Sequence, residues 1–206
     1  RIAADHICGR RSAYTGALGT SVLKLFDLTA ASTGLNEKQA RAAGVAYDKV
    51  VTYSASHASY YPGARNMTVK TLFDPASGRI LGAQIVGFDG VDKRMDVLAA
   101  AIRAGLTAEQ LTELDLAYAP PYGSAKDPVN MAGYVIENVR AGLVEQHHWD
   151  AVAELPADGS VILLDVRTPG EVRKQGLLRS DALHIPLDEL RGRLGELDKG
   201  KKVYVN

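Results

Sequence analysis

The chain has 206 residues, of which 46% are hydrophobic, and 24 Lys and Arg residues balance 24 Asp and Glu residues. This balance, without long runs of like charge, disfavours nucleic acid or an anionic membrane as a partner. The apolar stretches are too short to span a bilayer and no signal-peptide pattern is present, so we expect a cytoplasmic location. The single cysteine, Cys8, allows no internal disulfide and no redox dithiol within the chain.

The first 45 residues predict a helix, a strand, a turn and a second helix. Residues 1–12 indicate a helix fragment that continues something upstream. The run GTSVLKLFDL has strand character, and TAASTG after it is predicted as a turn. Asn36 with Gln39 three residues later forms a capping-box pattern, and Gly44 marks the end of that short helix.

The middle of the chain predicts strands followed by helices. DKVVTYSASHASYY, MTVKTLF and RILGAQIVG have strand patterns, and DPASG predicts a hairpin turn between the last two. Apolar residues then recur at helical spacing, at Val91, Met95, Leu98 and Ile102. Strands followed by clustered helices are typical of an α+β unit with an antiparallel sheet and flanking helices.

A proline-rich segment, LDLAYAPPYGSAKDPVN, leads into a long helix. Two successive prolines predict an extended stretch. Asp127 followed by Pro128 predicts a helix start, and apolar positions continue to Leu143, which indicates four to five turns. We expect a domain boundary near residue 145.

The last 60 residues alternate strand and helix, which predicts a parallel sheet. SVILLDVRT is a continuous apolar strand, and KKVYVN predicts a short buried strand. Asp165 and Arg167 are expected to form a structural hydrogen-bonded pair at a strand end. In order and spacing, ILLDVRTPGEV, HIPLDELRGRL and KKVYVN resemble the N-terminal half of a rhodanese domain. The resemblance implies a nucleophilic cysteine directly after Asn206, so that only half of this α/β domain is expected here.

The earlier residues resemble the pyridine nucleotide-disulfide oxidoreductases, in the coenzyme A-disulfide reductase branch with a fused rhodanese domain. The segments that carry the resemblance are RIAADHICGR, SYYPGA, GRILGAQIVG, DKRMDVLAAAI and above all LDLAYAPPYGSAKDPVNMAGY. It implies that residues 1–12 are the tail of an FAD domain, residues 13–126 a dimerisation domain, residues 127–146 a helix and linker, and residues 147–206 the rhodanese part. FAD, NAD(P)H and coenzyme A are the implied cofactors and ligand, and the implied partner is a second copy of the chain.

The resemblance also implies site residues. In this branch, two tyrosines reach into the partner subunit's active site, and Tyr118 together with Tyr60 or Tyr61 matches them. Lys126 matches a lysine that helps to hold coenzyme A, and Ala119 and Pro120 belong to the same loop. Glutathione-reductase relatives place a His-Glu pair in the corresponding region, for which no matching His is found.

The residue types suit this chemistry. A phenol stays protonated at neutral pH and can donate a hydrogen bond to a sulfur, while a lysine is a point charge suited to phosphate. Other interpretations remain for each residue: Tyr118 as a packed aromatic, Lys126 as a solvated charge, and one of Tyr60 and Tyr61 as a core residue by strand alternation.

Two further interpretations concern histidine and cysteine. His147 and His148 are adjacent on a linker with no third ligand near, so no metal site is expected. Cys8 is expected to be a small buried apolar residue.

No GxGxxG motif follows a strand, so the FAD and NAD(P)H units of the resembled family are not expected among these residues. The resemblance therefore implies part of a reductase of coenzyme A disulfide, coenzyme A persulfide or polysulfide. Two alternatives remain: a non-catalytic dimerisation and interaction module, and a segment of an NADH oxidase of the same superfamily.

Overall fold

The computed structural model describes residues 1–206 and divides into two compact units, Arg1–Val144 and Glu145–Asn206. None of its helices has both the length and the apolar character needed to cross a membrane. The fold class combines an antiparallel sheet with helices in the first unit and a small parallel sheet in the second.

The first unit contains five strands and five helices. The strands are β1 Ser21–Leu25, β2 Leu28–Gly34, β3 Asp48–Ala55, β4 Asn66–Phe73 and β5 Ile80–Gly87. The helices are α1 Ile2–Ile7, α2 Glu37–Ala42, α3 Val91–Ala104, α4 Ala108–Thr112 and α5 Pro128–Arg140. The strands form one antiparallel sheet in the order β1-β2-β5-β4-β3.

The prediction of a turn at TAASTG is wrong. These residues lie in β2, which pairs with both β1 and β5. The chain instead turns at Phe26 and Asp27, where Phe26 has a positive φ of 52°. The small side chains of β2 fit an inner strand that helix α3 covers, so packing outweighs their weak strand propensity.

The predicted helix starts and the hairpin are confirmed. Asn36 with Gln39 forms the predicted capping box, and Thr107 with Gln110 forms another at the start of α4. DPASG closes the turn between β4 and β5, where Asp74 accepts hydrogen bonds from Ala76 and Ser77. Helix formation at these points thus follows from local capping chemistry.

Helix α5 is shorter than predicted, because it ends at Arg140 and Leu143 lies beyond it with 75% of its surface exposed. Gly142 has a φ of 70°, and Leu143 N–H donates to Asn138 O at 2.9 Å while Gly142 N–H donates to Val139 O at 3.0 Å. This paired pattern is a Schellman motif, which glycine forms without steric strain and which stops the helix.

The core of the first unit lies between the sheet and helices α3, α4 and α5. Helix α3 packs on β2 and β5, and α5 packs on β3, β4 and α4. The largest fully buried apolar side chains are Phe73, Met67, Leu72, Ile85, Met95, Leu98, Leu111 and Ile136. The apolar residues at helical spacing in α3 therefore form its buried face as predicted, and Val91, Met95 and Leu98 face the sheet.

The second unit contains β6 Val161–Asp165, α6 Pro169–Gln175, β7 Leu183–His184, α7 Leu187–Arg193 and β8 Lys202–Val205. Two short 3₁₀ helices, Trp149–Glu154 and Leu194–Glu196, complete it. The strands form a parallel sheet in the order β7-β6-β8, as the alternation predicts. Strand β8 is not buried as expected, since Val205 is 63% exposed at this edge of the sheet.

Candidate functional site

Two loops of the first unit meet beside the sheet. The first tyrosine loop, residues 56–65, connects β3 to β4, and the second tyrosine loop, residues 113–127, connects α4 to α5. Ala58 N–H donates to Gly123 O across 2.9 Å and joins them. Side chains from both loops therefore share one surface.

The two loops bring Tyr60 and Tyr118 together. Their hydroxyl oxygens are 3.3 Å apart, although 58 residues separate them along the chain. Both side chains are exposed, Tyr60 by 76% and Tyr118 by 48%. The structure thus places two of the predicted site residues as a hydrogen-bonded pair on an open surface, which differs from the packed-aromatic alternative for Tyr118.

The expectation that Tyr60 or Tyr61 is a core residue is wrong. Strand β3 ends at Ala55, so both tyrosines follow the strand and no in-out alternation applies to them. Tyr61 is 43% exposed, and its ring meets the ring of His57 edge-on with 5.8 Å between centroids. Tyr61 is therefore near the pair but outside its hydrogen bond.

The hydrogen bond that Tyr60 donates to Tyr118 raises the pKa of Tyr60 above its ordinary value of 10.0. Tyr60 is accordingly a neutral phenol at physiological pH. When one hydroxyl donates to the other, the accepting phenol keeps its own proton available for an external acceptor. The pair can thus offer a hydrogen bond to a bound thiolate or carbonyl.

The second tyrosine loop turns sharply just after Tyr118. Ala119 O accepts hydrogen bonds from Tyr122 N–H at 2.8 Å and Gly123 N–H at 3.1 Å, so the two prolines lie within a tight turn. The predicted extended stretch is therefore wrong here. Proline presets the backbone angle that such a turn requires. Ala119 and Pro120 are half-buried at its start.

Lys126 is exposed at the end of the same loop, next to the first turn of α5. Its Nζ donates to Tyr134 Oη at 2.5 Å and lies 4.4 Å from the centre of the Tyr134 ring. Tyr134 therefore holds the ammonium group in place, so Lys126 is not the freely solvated charge of the alternative interpretation. The contact leaves other ammonium protons available to an anion.

Sequence reasoning missed a buried arginine, Arg94, that contacts both loops. Only 2% of its surface is exposed, and its Nη2 donates to Ser56 O at 2.9 Å and to Tyr122 O at 3.4 Å. A signal was present: Arg94 lies three residues after Val91, on the apolar face of α3. A charged residue at such a position needs a buried partner.

The partner is Asp127, whose carboxylate lies 2.9 Å from Arg94 Nη2. Asp127 also caps α5 as predicted, because its side chain accepts from Val129 N–H at 3.1 Å. Asn130 completes the capping box and donates to Leu111 O and Leu114 O at 2.9 and 3.1 Å. Both ends of the second tyrosine loop are thereby fixed to α5.

Two other expectations concern residues outside these loops. Cys8 is exposed, contrary to the expected buried position, because helix α1 buries none of its residues. His147 Nε2 donates to Ala151 O at 3.2 Å, and the His147 ring packs edge-on against the ring of Tyr204. No group of three His, Cys, Asp or Glu side chains is placed to hold a metal ion.

Asp165 and Arg167 form an ion pair of 2.6 Å at the end of β6, with Asp165 fully buried. Hydrogen bonding from Arg167 lowers the pKa of Asp165 despite the opposing effect of burial. Arg167 also donates to Gln175 and to Gly176 O, so the pair ties the strand end to α6. This is the predicted structural role.

The strand-to-helix turn after β6 does not fit a flavin or nicotinamide dinucleotide. Such a site needs a glycine-rich strand-to-helix turn whose backbone N–H groups face a pyrophosphate. After β6, the corresponding turn begins α6 with its own capping box, in which Thr168 and Glu171 satisfy the first N–H groups. That turn therefore lacks the open cradle a dinucleotide requires.

Comparison with known proteins identifies relatives of the chain. The dimerisation domain of pyridine nucleotide-disulphide oxidoreductases matches residues 20–128. The coenzyme A disulfide reductase of Staphylococcus haemolyticus is 42% identical over 134 residues, which are 65% of this chain and 30% of that protein.

Two solved structures are similar over nearly the whole chain. Reduced CoADR-RHD of Bacillus anthracis has a TM-score of 0.93 and 49% identity, and the match covers 100% of this chain and 37% of that one. The NAD-dependent persulfide reductase of A. fulgidus has a TM-score of 0.85 and 40% identity, covering 98% of this chain and 35% of that one. The chain thus spans about a third of the length of these relatives.

Proposed function

The chain belongs to the pyridine nucleotide-disulphide oxidoreductases, and we propose on that premise that it is part of an FAD- and NAD(P)H-dependent reductase. The substrate is coenzyme A disulfide, coenzyme A persulfide or polysulfide. Residues 13–126 contribute the interface of a homodimer, and the Tyr60–Tyr118 pair faces the active site of the partner subunit. The observation that carries the proposal is this exposed, hydrogen-bonded pair of phenols.

Several features support this substrate class. The relatives named above include a coenzyme A disulfide reductase and a persulfide reductase, at 42% and 40% identity. Each such reaction takes two electrons, supplied by NAD(P)H, and two protons to break one sulfur–sulfur bond. The disulfide gives two thiols, the persulfide gives a thiol and hydrogen sulfide, and polysulfide gives hydrogen sulfide and a shorter chain. The tyrosine pair meets the need of this chemistry for a neutral donor beside a departing sulfur.

The role of the pair follows from its acidity. A thiol has an ordinary pKa of about 8.5, whereas the hydrogen bond to Tyr118 raises the pKa of Tyr60 above 10.0. Complete proton transfer from such a phenol to a thiolate is therefore uphill. The pair accordingly stabilises the departing thiolate by a hydrogen bond, and solvent supplies the final proton.

Coenzyme A binding is assigned to the second tyrosine loop. Lys126, whose ammonium Tyr134 fixes, is suited to a phosphate group of coenzyme A. Ala119 and Pro120 border the same ligand just after Tyr118. The tight turn at Ala119 supports this arrangement, because a preformed loop loses little conformational entropy when a ligand binds.

Residues 147–206 are proposed as the N-terminal part of a rhodanese-like domain, preceded by the helix and linker of residues 127–146. The parallel order β7-β6-β8 and the buried Asp165–Arg167 pair support this interpretation. So does the similarity of the whole chain to CoADR-RHD. Such a domain would deliver sulfane sulfur to the reductase or receive it.

Replacing the tyrosines in the full-length dimer tests the function. We expect Tyr60→Phe and Tyr118→Phe each to lower kcat/KM for coenzyme A disulfide by on the order of tenfold to a hundredfold, since a hydrogen bond to a charged group contributes about 1.5–3 kcal/mol. The double variant should lose little more than either single variant, because the two hydroxyls act as a unit.

Tyr53→Phe is the matched control. Tyr53 is 73% exposed on β3 and lies outside the pair, so its variant should retain the parent rate. Parent-like kcat/KM in Tyr60→Phe, Tyr118→Phe and the double variant would contradict the proposed role. Such a result would favour a dimerisation module without a direct part in the chemistry.

A further inference from the structure

Arg94 is the one side chain that binds both tyrosine loops and the start of α5. Its guanidinium donates to Ser56 O in the first tyrosine loop, to Tyr122 O in the second, and to the Asp127 carboxylate. Nη1 completes the set with Gly90 O at 3.2 Å. Two loops that are distant in sequence therefore share a single planar group.

Stability alone does not account for this arrangement. Taking two charges out of water carries a large desolvation penalty, and apolar residues of similar volume often replace buried ion pairs with no loss of stability. The neighbours of Arg94 on its helix, Val91, Met95 and Leu98, are apolar and buried. An apolar residue would match that face, whereas only a group with several fixed donors can hold two loop carbonyls and the Asp127 carboxylate at once.

The carbonyls that Arg94 holds lie close to the tyrosine pair. Ser56 precedes Tyr60 by four residues, and Tyr122 follows Tyr118 by four. The backbone bond from Ala58 to Gly123 runs between these anchors. A shift of either anchor is therefore transmitted through a few residues to a hydroxyl of the pair.

We propose that Arg94, paired with Asp127, is a positioning residue that sets the separation of the Tyr60 and Tyr118 hydroxyls. The expected effect on turnover rests on the proposed function, whereas the effect of Arg94 on the distance between the two hydroxyls does not. The hydroxyls are 3.3 Å apart, which is already longer than the roughly 2.5–3.0 Å usual between two hydroxyl oxygens. A displacement of about 1 Å would break the bond, and misplacements of that size lower rates by on the order of a hundredfold.

Arg94→Lys in the full-length dimer separates positioning from charge. Lysine keeps a positive charge for Asp127 but has one nitrogen in place of three, so it cannot hold Ser56 O and Tyr122 O while also bonding Asp127 and Gly90 O as Nε and Nη1 do. The matched control is Arg103→Lys on the same helix. Arg103 also donates to loop carbonyls, those of Thr15 and Gly16, but away from the tyrosine pair.

Two measurements report on the pair. The first is kcat/KM with coenzyme A disulfide, which should fall on the order of tenfold or more in Arg94→Lys. The second is the pKa of Tyr60. It is measured by following the ultraviolet absorbance of tyrosinate as the pH rises, and the curve of the same protein carrying Tyr60→Phe is subtracted to isolate the Tyr60 transition. Because the bond to Tyr118 raises this pKa, its loss should move the Tyr60 transition to lower pH. Arg103→Lys should change neither quantity.

Each outcome is decisive. A purely structural role would lower the melting temperature of Arg94→Lys while leaving the Tyr60 transition and kcat/KM equal to those of Arg103→Lys, and this result would overturn the inference. If Tyr60→Phe and Tyr118→Phe do not slow turnover, the proposed function fails, and the Tyr60 transition alone then decides whether Arg94 positions the pair.

A second variant covers failure of Arg94→Lys to fold. Asp127→Asn keeps a helix cap and an acceptor for Arg94 but removes the charge that orients the guanidinium. Its Tyr60 transition should move in the same direction by a smaller amount. An unmoved transition in this variant overturns the inference.

Discussion

Replacing Glu37 by Gln removes a carboxylate that three cationic side chains share. Glu37 lies in the first turn of α2, and only 13% of its side chain is exposed. The cations come from α2, β3 and β4: Arg41, Lys49 and Lys70. The carboxylate therefore ties a helix to two neighbouring strands of the antiparallel sheet.

The pKa of Glu37 gives the magnitude. Burial raises this pKa, but hydrogen bonds from Lys70, Lys49 and Arg41 outweigh burial and lower it from 4.5 to about 2. A change of that size corresponds to ~3.4 kcal/mol at neutral pH. Arg41 is 69% exposed, so water screens its share. We therefore expect Glu37→Gln to lower the free energy of unfolding by about 2–3 kcal/mol at pH 7.

The loss should depend on pH with a defined sign. The folded pKa lies below the unfolded one, so the stabilisation is fully present above pH 4.5 and is lost as the pH falls towards 2. At pH 3 roughly 40% of the difference between parent and variant should remain. Urea unfolding followed by far-ultraviolet circular dichroism measures this difference. Fluorescence of Trp149, the sole tryptophan, follows residues 145–206 separately.

Glu113→Gln is the control, since Glu113 is exposed at the end of α4. Its variant should stay within about 0.5 kcal/mol of the parent at both pH values. A Glu37→Gln difference as small as this, or one that grows as the pH falls from 5 to 3, would refute the reasoning.

Two further predictions test packing in the same unit. Leu98→Ala should lower the free energy of unfolding by about 2–5 kcal/mol because Leu98 is fully buried, whereas Leu143→Ala, at a 75% exposed position, should change it by less than about 0.5 kcal/mol in the same urea experiment. Gly133→Ala would place a Cβ 2.7 Å from Ala108 O and 2.9 Å from Thr112 Cγ2. The loss of stability from this overpacking should exceed the ~1 kcal/mol gain in helix propensity, so the variant should be less stable and exchange amide hydrogens faster in α4. A more stable variant would contradict the close approach of α4 and α5.

Elements whose ends depend on local chemistry could be predicted from the sequence. The capping boxes at Asn36, Thr107 and Asp127 satisfy backbone groups within four residues, so the signal and the structure coincide. Strand β2 could not be found in this way. Its Ala, Ser and Gly residues have weak strand propensity, and only pairing with β1 and β5 makes this segment a strand.

In the candidate site, too, part could be predicted from the sequence and part depends on contacts between distant segments. Tyr118 and Tyr60 were identified by resemblance, but their hydrogen bond depends on two loops whose approach no local pattern encodes. What fixes that approach is buried rather than exposed: a guanidinium on α3 that holds a carbonyl of each loop. Because burying such a charge is unfavourable unless every donor is satisfied, an arginine on the apolar face of a predicted helix indicates a point where separate segments must be held together. Arg94 is therefore the residue through which the fold of this unit and the geometry of its tyrosine pair are coupled.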